Sequence, residues 1–396
     1  MTRLACVALA LSCVACRLAA AQAKAAVTLA VDPARGDDKA KGDPRHPLAS
    51  IAAAIARLPD PVEASTTIEL AGGEYASPGG RRPPEHSLVL ARRMLPGVVV
   101  RLVGVAAADA KAKREADRPT VLAWRGDEMV RVAEGTWELA QIQVGTFDLA
   151  QRRGVMASGP CTVHLRDVTF RLRSNSDAAI WASRGALVAL RGKIAANEHL
   201  HDAAEAETFS GILATDHGIV EFEERDGASL DLGNGSLSVR GYGMIRLGCA
   251  RARITCWTQS NNLAINSSGR IDVRNTEVTL RAQQRNNTPI GLEHDGHLLA
   301  EDAKITIVGP NDSAIALQKA STFTCNDIAL DGTFEYSIWA SSGSMFVGRF
   351  LGDVTKVRAS TGAGIHIEKV GGKVVGPVEA RSGGVVSLPD RVVRSD

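Results

Sequence analysis

A chain of 396 residues holds either two ordinary domains or one elongated repeat architecture. Its 16 aromatic residues (5 Trp, 3 Tyr, 8 Phe) against 38 glycines give little for a large globular core, but enough for stacked Val/Ile/Leu ladders with frequent turns. With 45% hydrophobic and 23% charged residues it is neither disordered nor a membrane bundle, and a net charge of 46 − 44 = +2, which falls to zero without Arg3 and Arg17, argues against a dedicated nucleic-acid binder.

Residues 1–23 carry a basic start at Arg3, an apolar run from Leu4 to Cys16, and Ala19, Ala21 and Ala23 in an A-x-A cleavage pattern. This predicts a secretory signal peptide, hence a secreted protein, extracellular or periplasmic. Arg17 ends the apolar run too early for a membrane span, and a lipid anchor through Cys13 or Cys16 lacks the expected Leu upstream. The mature chain keeps Cys161, Cys249, Cys256 and Cys325. An oxidising compartment permits disulfides, of which Cys249–Cys256 is the nearest pair, while Cys161 and Cys325 occupy apolar strand positions as small buried hydrophobes.

Residues 24–75 read as a first strand, a capping helix and a first coil. Ile51, Ile55 and Leu58 fall on one helix face, and Pro47 is placed for the first turn. Such a helix would cover the open strand edge of the first coil. Residues 76–153 carry polar insertions (SPGGRRPPEH, AAADAKAKREADRP) and read as irregular early coils with long loops.

From 154 to about 386 the chain repeats a short alternating strand, a tight turn and a second strand. The turn position is Gly159, Gly185, Gly218, Gly243, Gly269, Gly296, Ser321, Gly343 and Gly371, with a mean period of about 26 residues. Short strands at this period without an amphipathic helix exclude helical solenoids and βαβ arrays. Asp-Gly at 226, 295 and 331 and Asn-Gly at 234 are hairpin signals, yet every unit reads in the same direction, which favours parallel stacking over an antiparallel sandwich. The recurring glycine is expected to supply a positive φ. Residues 387–396 are left to fold over the last coil as a loop.

Val31, Asp32, Gly36, Asp37, Pro47, Ile51, Ala54, Ile55, Ile68, Leu70, Gly73 and Tyr75 match a "V-D-x…G-x-D…P…T-I-x-x-A-I" segment followed by "I-x-L-x-x-G-x-Y", with Ser50 replacing the usual Thr. This segment resembles the start of secreted right-handed parallel β-helix proteins of the pectin-lyase-like superfamily. The resemblance implies an all-β, single-stranded right-handed parallel β-helix. It implies no one activity, because that superfamily includes lyases, hydrolases, epimerases, phage tail parts and inert adhesins.

Strand alternation predicts which side chains point inward: Ile180, Ile212, Leu237, Leu263, Ile290, Ile315, Ile338 and Ile365. One outward row is then Trp181, Leu213, Ser238, Ala264, Gly291, Ala316, Trp339 and His366. The next is Ser183, Thr215, Arg240, Asn266, Glu293, Gln318, Ser341 and Glu368. Small residues beside polar ones, with Trp181 and Trp339 near the ends, outline a shallow groove suited to a polysaccharide: sugar rings stack on aromatics, and their hydroxyls bond to Asn266 and Gln318. Trp181 and Trp339 could equally cover neighbouring loops.

For chemistry, the densest cluster is Glu293, His294, Asp295 and His297, flanked by Arg240, Lys319, Asp216 and His217. Glu293 and Asp295 on one side of the alternation suit acid and base roles in glycoside hydrolysis. Alternatively Lys319 or His294 abstracts a proton beside a uronate carboxylate while Arg240 neutralises the developing charge, as in a lyase. The same residues also suit solvated turn positions. The calcium segment of pectate lyases and the N-T-D, D-D, G-H-G, R-x-K series of polygalacturonases are missing. No cofactor motif is present, and loop 223–236, with Glu223, Glu224, Asp226, Asp231 and Asn234, is the one candidate for calcium. Three readings follow: a polysaccharide-binding or surface structural protein, a polysaccharide lyase or glycoside hydrolase, and a phage-derived tail or adhesin module.

Overall fold

The computed structural model describes residues 26–76, 87–104, 119–124, 127–146, 153–172, 178–197, 209–222, 227–233, 235–256, 261–282 and 288–395, so the expected signal peptide and most of the expected insertions lie outside the described residues. Among these, one helix, Ile51–Ala56, accompanies strands that pair almost entirely in parallel. The protein is all-β with a β-helix-like stack of coils. A typical coil has three strands, such as Gly235–Arg240, Met244–Leu247 and Arg251–Cys256. Each pairs with its counterpart in the next coil: Leu263–Asn266, Arg270–Arg274 and Glu277–Ala282. Three faces result, called first, second and third in that order.

Apolar ladders fill the interior. Ile180, Ile212, Leu237, Leu263, Ile290, Ile315 and Ile338 all point inward and are fully buried, each stacked in register on the next. At roughly 1.5–3 kcal/mol for each aliphatic side chain removed from water, these ladders are the main favourable term. On the third face, Arg251, Glu277, Lys304, Asp327 and Arg349 lie side by side with alternating charge. Each such pair is weak, but a one-residue slip would replace the partners by Val278, Ile305, Ile328 and Phe350 and turn those core residues outward.

The turns between first and second faces bear out the expected role of glycine at some positions and correct it at others. Positive φ falls on two consecutive residues: Asp216 and His217, Gly241 and Tyr242, Ser267 and Ser268, His294 and Asp295, Lys319 and Ala320. This is the φ signature of a type I′ turn, closed where the next amide returns to the strand, as from Gly218 to the Thr215 carbonyl (2.7 Å). The expected positive φ is present at Gly159, Gly185 and Gly343 (94°, 79° and 73°), but Gly218, Gly243, Gly269 and Gly296 are the third residue of the turn and do not have it. They are small because a Cβ would collide with the preceding coil: with the Ala182 carbonyl at Gly218 and the Ala214 carbonyl at Gly243. The same position holds Ala186, Ser321, Ser344, Ala363 and Gly384, all small. The turns stack through their own amides, from Ser268 to the His294 carbonyl (2.7 Å), Asp295 to Lys319 (2.9 Å) and Ala320 to Ser342 (2.9 Å).

Both ends are covered. Ser50 caps the helix by accepting from the Ala53 amide, and the Asp38 carboxylate accepts from the Ala49 and Ser50 amides. Ile51, Ile55 and Leu58 are buried, while Pro47 precedes the cap by three residues instead of entering the first turn. Asp32 receives the Ala34 and Arg35 amides and the Arg35 guanidinium. Burial opposes its ionisation, yet these bonds hold its carboxyl below the usual range. At the other end, residues 387–396 are more than a loop: Val392–Arg394 folds back antiparallel onto Val385–Ser387. Cys161, Cys249 and Cys325 are free and buried, so Cys249 makes no bridge to Cys256. Burial pushes their thiols up, Cys249 to about 11 and Cys325 to about 12, which keeps them protonated and inert.

This account of the turns separates two glycine effects. Gly243→Ala, which drives a Cβ into the Ala214 carbonyl, is expected to lower stability by more than about 2 kcal/mol. Ala320→Gly, at φ 61°, is expected to raise it by up to about 1 kcal/mol. Thermal unfolding of the two variants checks the order, and a stable Gly243→Ala would refute it.

Candidate functional site

The outward rows of the first face form as far as Trp339. Trp181, Leu213, Ser238, Ala264, Gly291, Ala316 and Trp339 lie in continuous register. The expected continuation through His366 and Glu368 does not form, because Ile365 belongs to the second face, paired with Phe346. Trp339 is followed instead by Arg358 and Glu379. The last coils are short: Ser344, Ala363 and Gly384 recur after 19 and 21 residues, so a 26-residue ruler skips a turn.

Arg240, Asn266 and Glu293 stand side by side on three adjacent strands. Gln318 follows, its amide bonded to the Leu292 carbonyl (2.9 Å), and then Ser341, bonded to Leu317 (2.9 Å). Parallel strands are spaced about 4.8 Å apart, so this row is a ladder of polar groups along the coil axis. Asn266, Glu293 and Gln318 are half-buried and Arg240 is exposed. Among the described residues, Glu293 makes no ion pair or hydrogen bond. Beside it stand the small residues Ser238, Ala264, Gly291 and Ala316, of which Ala264 is half-buried and the others are buried, with the Asn261 side chain lying over Gly291.

His294 and Lys319 occupy the same turn position in successive coils, which explains their contact: Lys319 Nζ lies 2.7 Å from His294 Nε2. An ammonium only donates, so the imidazole accepts through that nitrogen. The expectation that Glu293 and Asp295 share one side by alternation is not met. His294 and Asp295 both have positive φ (52° and 60°), which ends the two-residue period at Glu293. Asp216 and His217 are likewise exposed turn residues. His297 lies on the second face with Nδ1 2.7 Å from the Thr322 hydroxyl, away from the ladder.

The two tryptophans differ. Trp181 donates its indole N–H to the Thr215 hydroxyl (3.0 Å), and the Arg153 guanidinium covers one ring face at 4.2 Å. Trp339 is half-buried between Ala316 and Arg358 in register and has no ring contact among the described residues. Sequence reasoning missed the cluster beyond it. Glu379 receives Arg358 (2.8 Å), Arg381 (3.0 Å) and Lys356 (3.4 Å), while Lys356 and Arg358 flank the Tyr336 ring at 4.4 and 4.9 Å. The alternation of KVRAS and the turn Thr361-Gly362-Ala363 were its signal. Tyr242, 64% exposed, stacks on His217 one coil back.

Of the acidic loop, Asp231 pairs with Arg253 (2.8 Å), while Glu223, Glu224, Asp226 and Asn234 lie outside the described residues. Among the described residues, no group of three metal-ligating side chains converges, and no helix is long and apolar enough to cross a membrane.

No protein-family model and no curated protein sequence matches this chain. Among solved structures it is similar to the lacto-N-biosidase of glycoside hydrolase family 136 from Eubacterium ramulus, in its selenomethionine form, at 12% identity and a TM-score of 0.43, over 91% of this chain and 68% of that one. It is also similar to XylC in complex with xylose, at 9% identity and a TM-score of 0.33, over 86% and 70% of the two chains.

The cluster around Glu379 yields a pH prediction. Burial raises its carboxyl, but Arg358, Lys356 and Arg381 outweigh that and hold it below the ordinary 4.5. A depressed pKa contributes stability above the unfolded value that is lost as pH falls through the folded one. Glu379→Gln is therefore expected to melt below wild type at pH 7, with the difference shrinking below pH 4.5. Melting curves across that range check this, and a constant difference would contradict it.

Proposed function

We propose that this is a secreted protein, extracellular or periplasmic, built as a single-stranded right-handed parallel β-helix that binds a polysaccharide along its first face. The observation that carries the reading is the in-register ladder Arg240, Asn266, Glu293 and Gln318, beside the row of small residues Ser238, Ala264, Gly291 and Ala316 that ends at Trp339. A polymer of repeating sugars needs donors and acceptors repeated along a line, and a floor low enough for its rings to approach. The ladder offers the former, the small half-buried Ala264 leaves room beside Asn266, and Trp339 gives an apolar ring against which a sugar face can stack. Arg153 leaves Trp181 only one ring face for such a contact.

A catalytic reading draws on one observation: Glu293 carries no partner among the described residues, with the His294–Lys319 pair on the adjoining turn. Glu293 would then act as acid or base, and His294 or Lys319 would move the proton while Arg240 meets the developing charge. Calcium in loop 223–236 would be an addition to either reading.

Affinity electrophoresis against neutral and acidic polysaccharides, combined with mass spectrometry of the mixtures, separates the two. Binding without products is expected, with Trp339→Ala and Asn266→Ala each weakening retention about tenfold, or roughly 1.4 kcal/mol. Unchanged retention in both variants would overturn the first-face reading. Unsaturated products would instead identify a lyase and products heavier by one water a hydrolase, with turnover expected to vanish in Glu293→Gln.

A further inference from the structure

The second face carries a concavity of about 600 Å³, whose lining includes Phe222, Met244, Arg246, Arg270, Asp272 and Arg274. This size falls within the range of small-molecule sites. Three guanidinium groups line it and one carboxylate, Asp272, which is buried and already engaged by Arg270 Nε at 2.6 Å.

Each arginine is held from one side only. Arg246 donates through Nη1 to Glu221 (2.8 Å) from the coil before, and Arg274 Nε faces Glu301 (3.5 Å) from the coil after. Among the described residues, none of the three has a further hydrogen-bond partner. Arg246 thus keeps Nε and Nη2, and Arg270 and Arg274 keep both Nη groups. A carboxylate fixes one edge of a guanidinium and leaves the other as a planar fork, the geometry that receives a second oxyanion through paired N–H bonds. Register brings them together: Arg246 lies opposite Asp272, and Arg270 and Arg274 are two positions to either side of Asp272 on the same strand. Phe222 and Met244 line the apolar part, half-buried and uncharged.

We propose that this groove binds the anionic group, carboxylate or sulfate ester, of an acidic saccharide. Arg246, Arg270 and Arg274 take the oxyanion, and Met244 and Phe222 take the C–H face of the sugar ring. A saccharide as the carrier of the anion rests on the carbohydrate reading above, whereas the oxyanion site rests on the three guanidinium groups alone. The near-neutral charge of the whole chain favours such a local site over general attraction to polyanions.

The test uses the full chain at about 0.15 M salt, where attraction between distant charges is screened, with polygalacturonate, dextran sulfate and uncharged dextran as probes. The double variant Arg246→Gln/Arg274→Gln changes two side chains about half exposed (49% and 54%), and thermal unfolding confirms that it folds. Wild type is expected to retain one or both anionic polymers but not dextran, and the double variant to weaken that retention at least tenfold. Arg246→Lys/Arg274→Lys keeps both charges without the forks and is expected to fall between the two. Retention of only polygalacturonate, or only dextran sulfate, assigns the anion as carboxylate or sulfate. The proposal is overturned if wild type binds neither, if the Gln variant binds as wild type does, or if a single-stranded oligonucleotide binds equally well with the same arginine dependence. Lys304→Gln, which removes an exposed cation on the third face, outside both sites, serves as control. Loss of anion binding only in the arginine variants supports the groove even where the first-face reading fails.

Discussion

Every coil must satisfy the coils on both sides of it at once. Parallel strands bring residues about 26 positions apart into side-by-side contact, so each side chain is chosen against a fixed pair of neighbours. Ile290 is buried between Leu263 and Ile315, Asn266 stands between Arg240 and Glu293, and Gly243 is small because the Ala214 carbonyl passes where its side chain would be. The core, the polar ladder and the turn ridge are one constraint applied at three positions of the coil.

That constraint also explains how polar groups are managed without a thick globular core. Strand amides bond across coils, and the left-handed turn residues bond to one another in a separate ladder from Ser268 through Ala320. Non-glycine residues accept positive φ there at a cost of roughly 1–2 kcal/mol each, offset by these bonds and by the burial that the turn makes possible. The chemistry-bearing side chains of the ridge, His294, Asp295 and Lys319, are presented outward by the same turns.

Alternation made the interior legible from sequence, since Ile180 to Ile338 each follow a two-residue period that nothing interrupts. It misled where the period breaks: Glu293 and Asp295 seem to share a face only if the backbone stays extended through His294, and its φ of 52° shows that it does not. The recurring glycine was visible, and positive φ is its reason at Gly185 and Gly343, but at Gly218 and Gly243 the reason is close approach to a preceding carbonyl, a three-dimensional fact. A constant period carried Ile365 onto the wrong face and hid Arg358 and Glu379. The arginine groove was invisible for a related cause: Arg246 and Asp272 become neighbours only once the second-face register is known.

The shortening of the last coils gives the stack a direction beyond the polarity of its strands. A coil of 19 to 21 residues encloses less cross-section than one of 25 to 27, and its interior is filled by Phe346 and Phe350, packed with Phe323. The C-terminal rim, one coil further on, carries Val386 and Leu388 beneath the folded-back strand, while the N-terminal rim is closed by aliphatic side chains of a helix. The two ends of the stack are thus closed by different devices, a helix laid over the first coil and a strand turned back on the last.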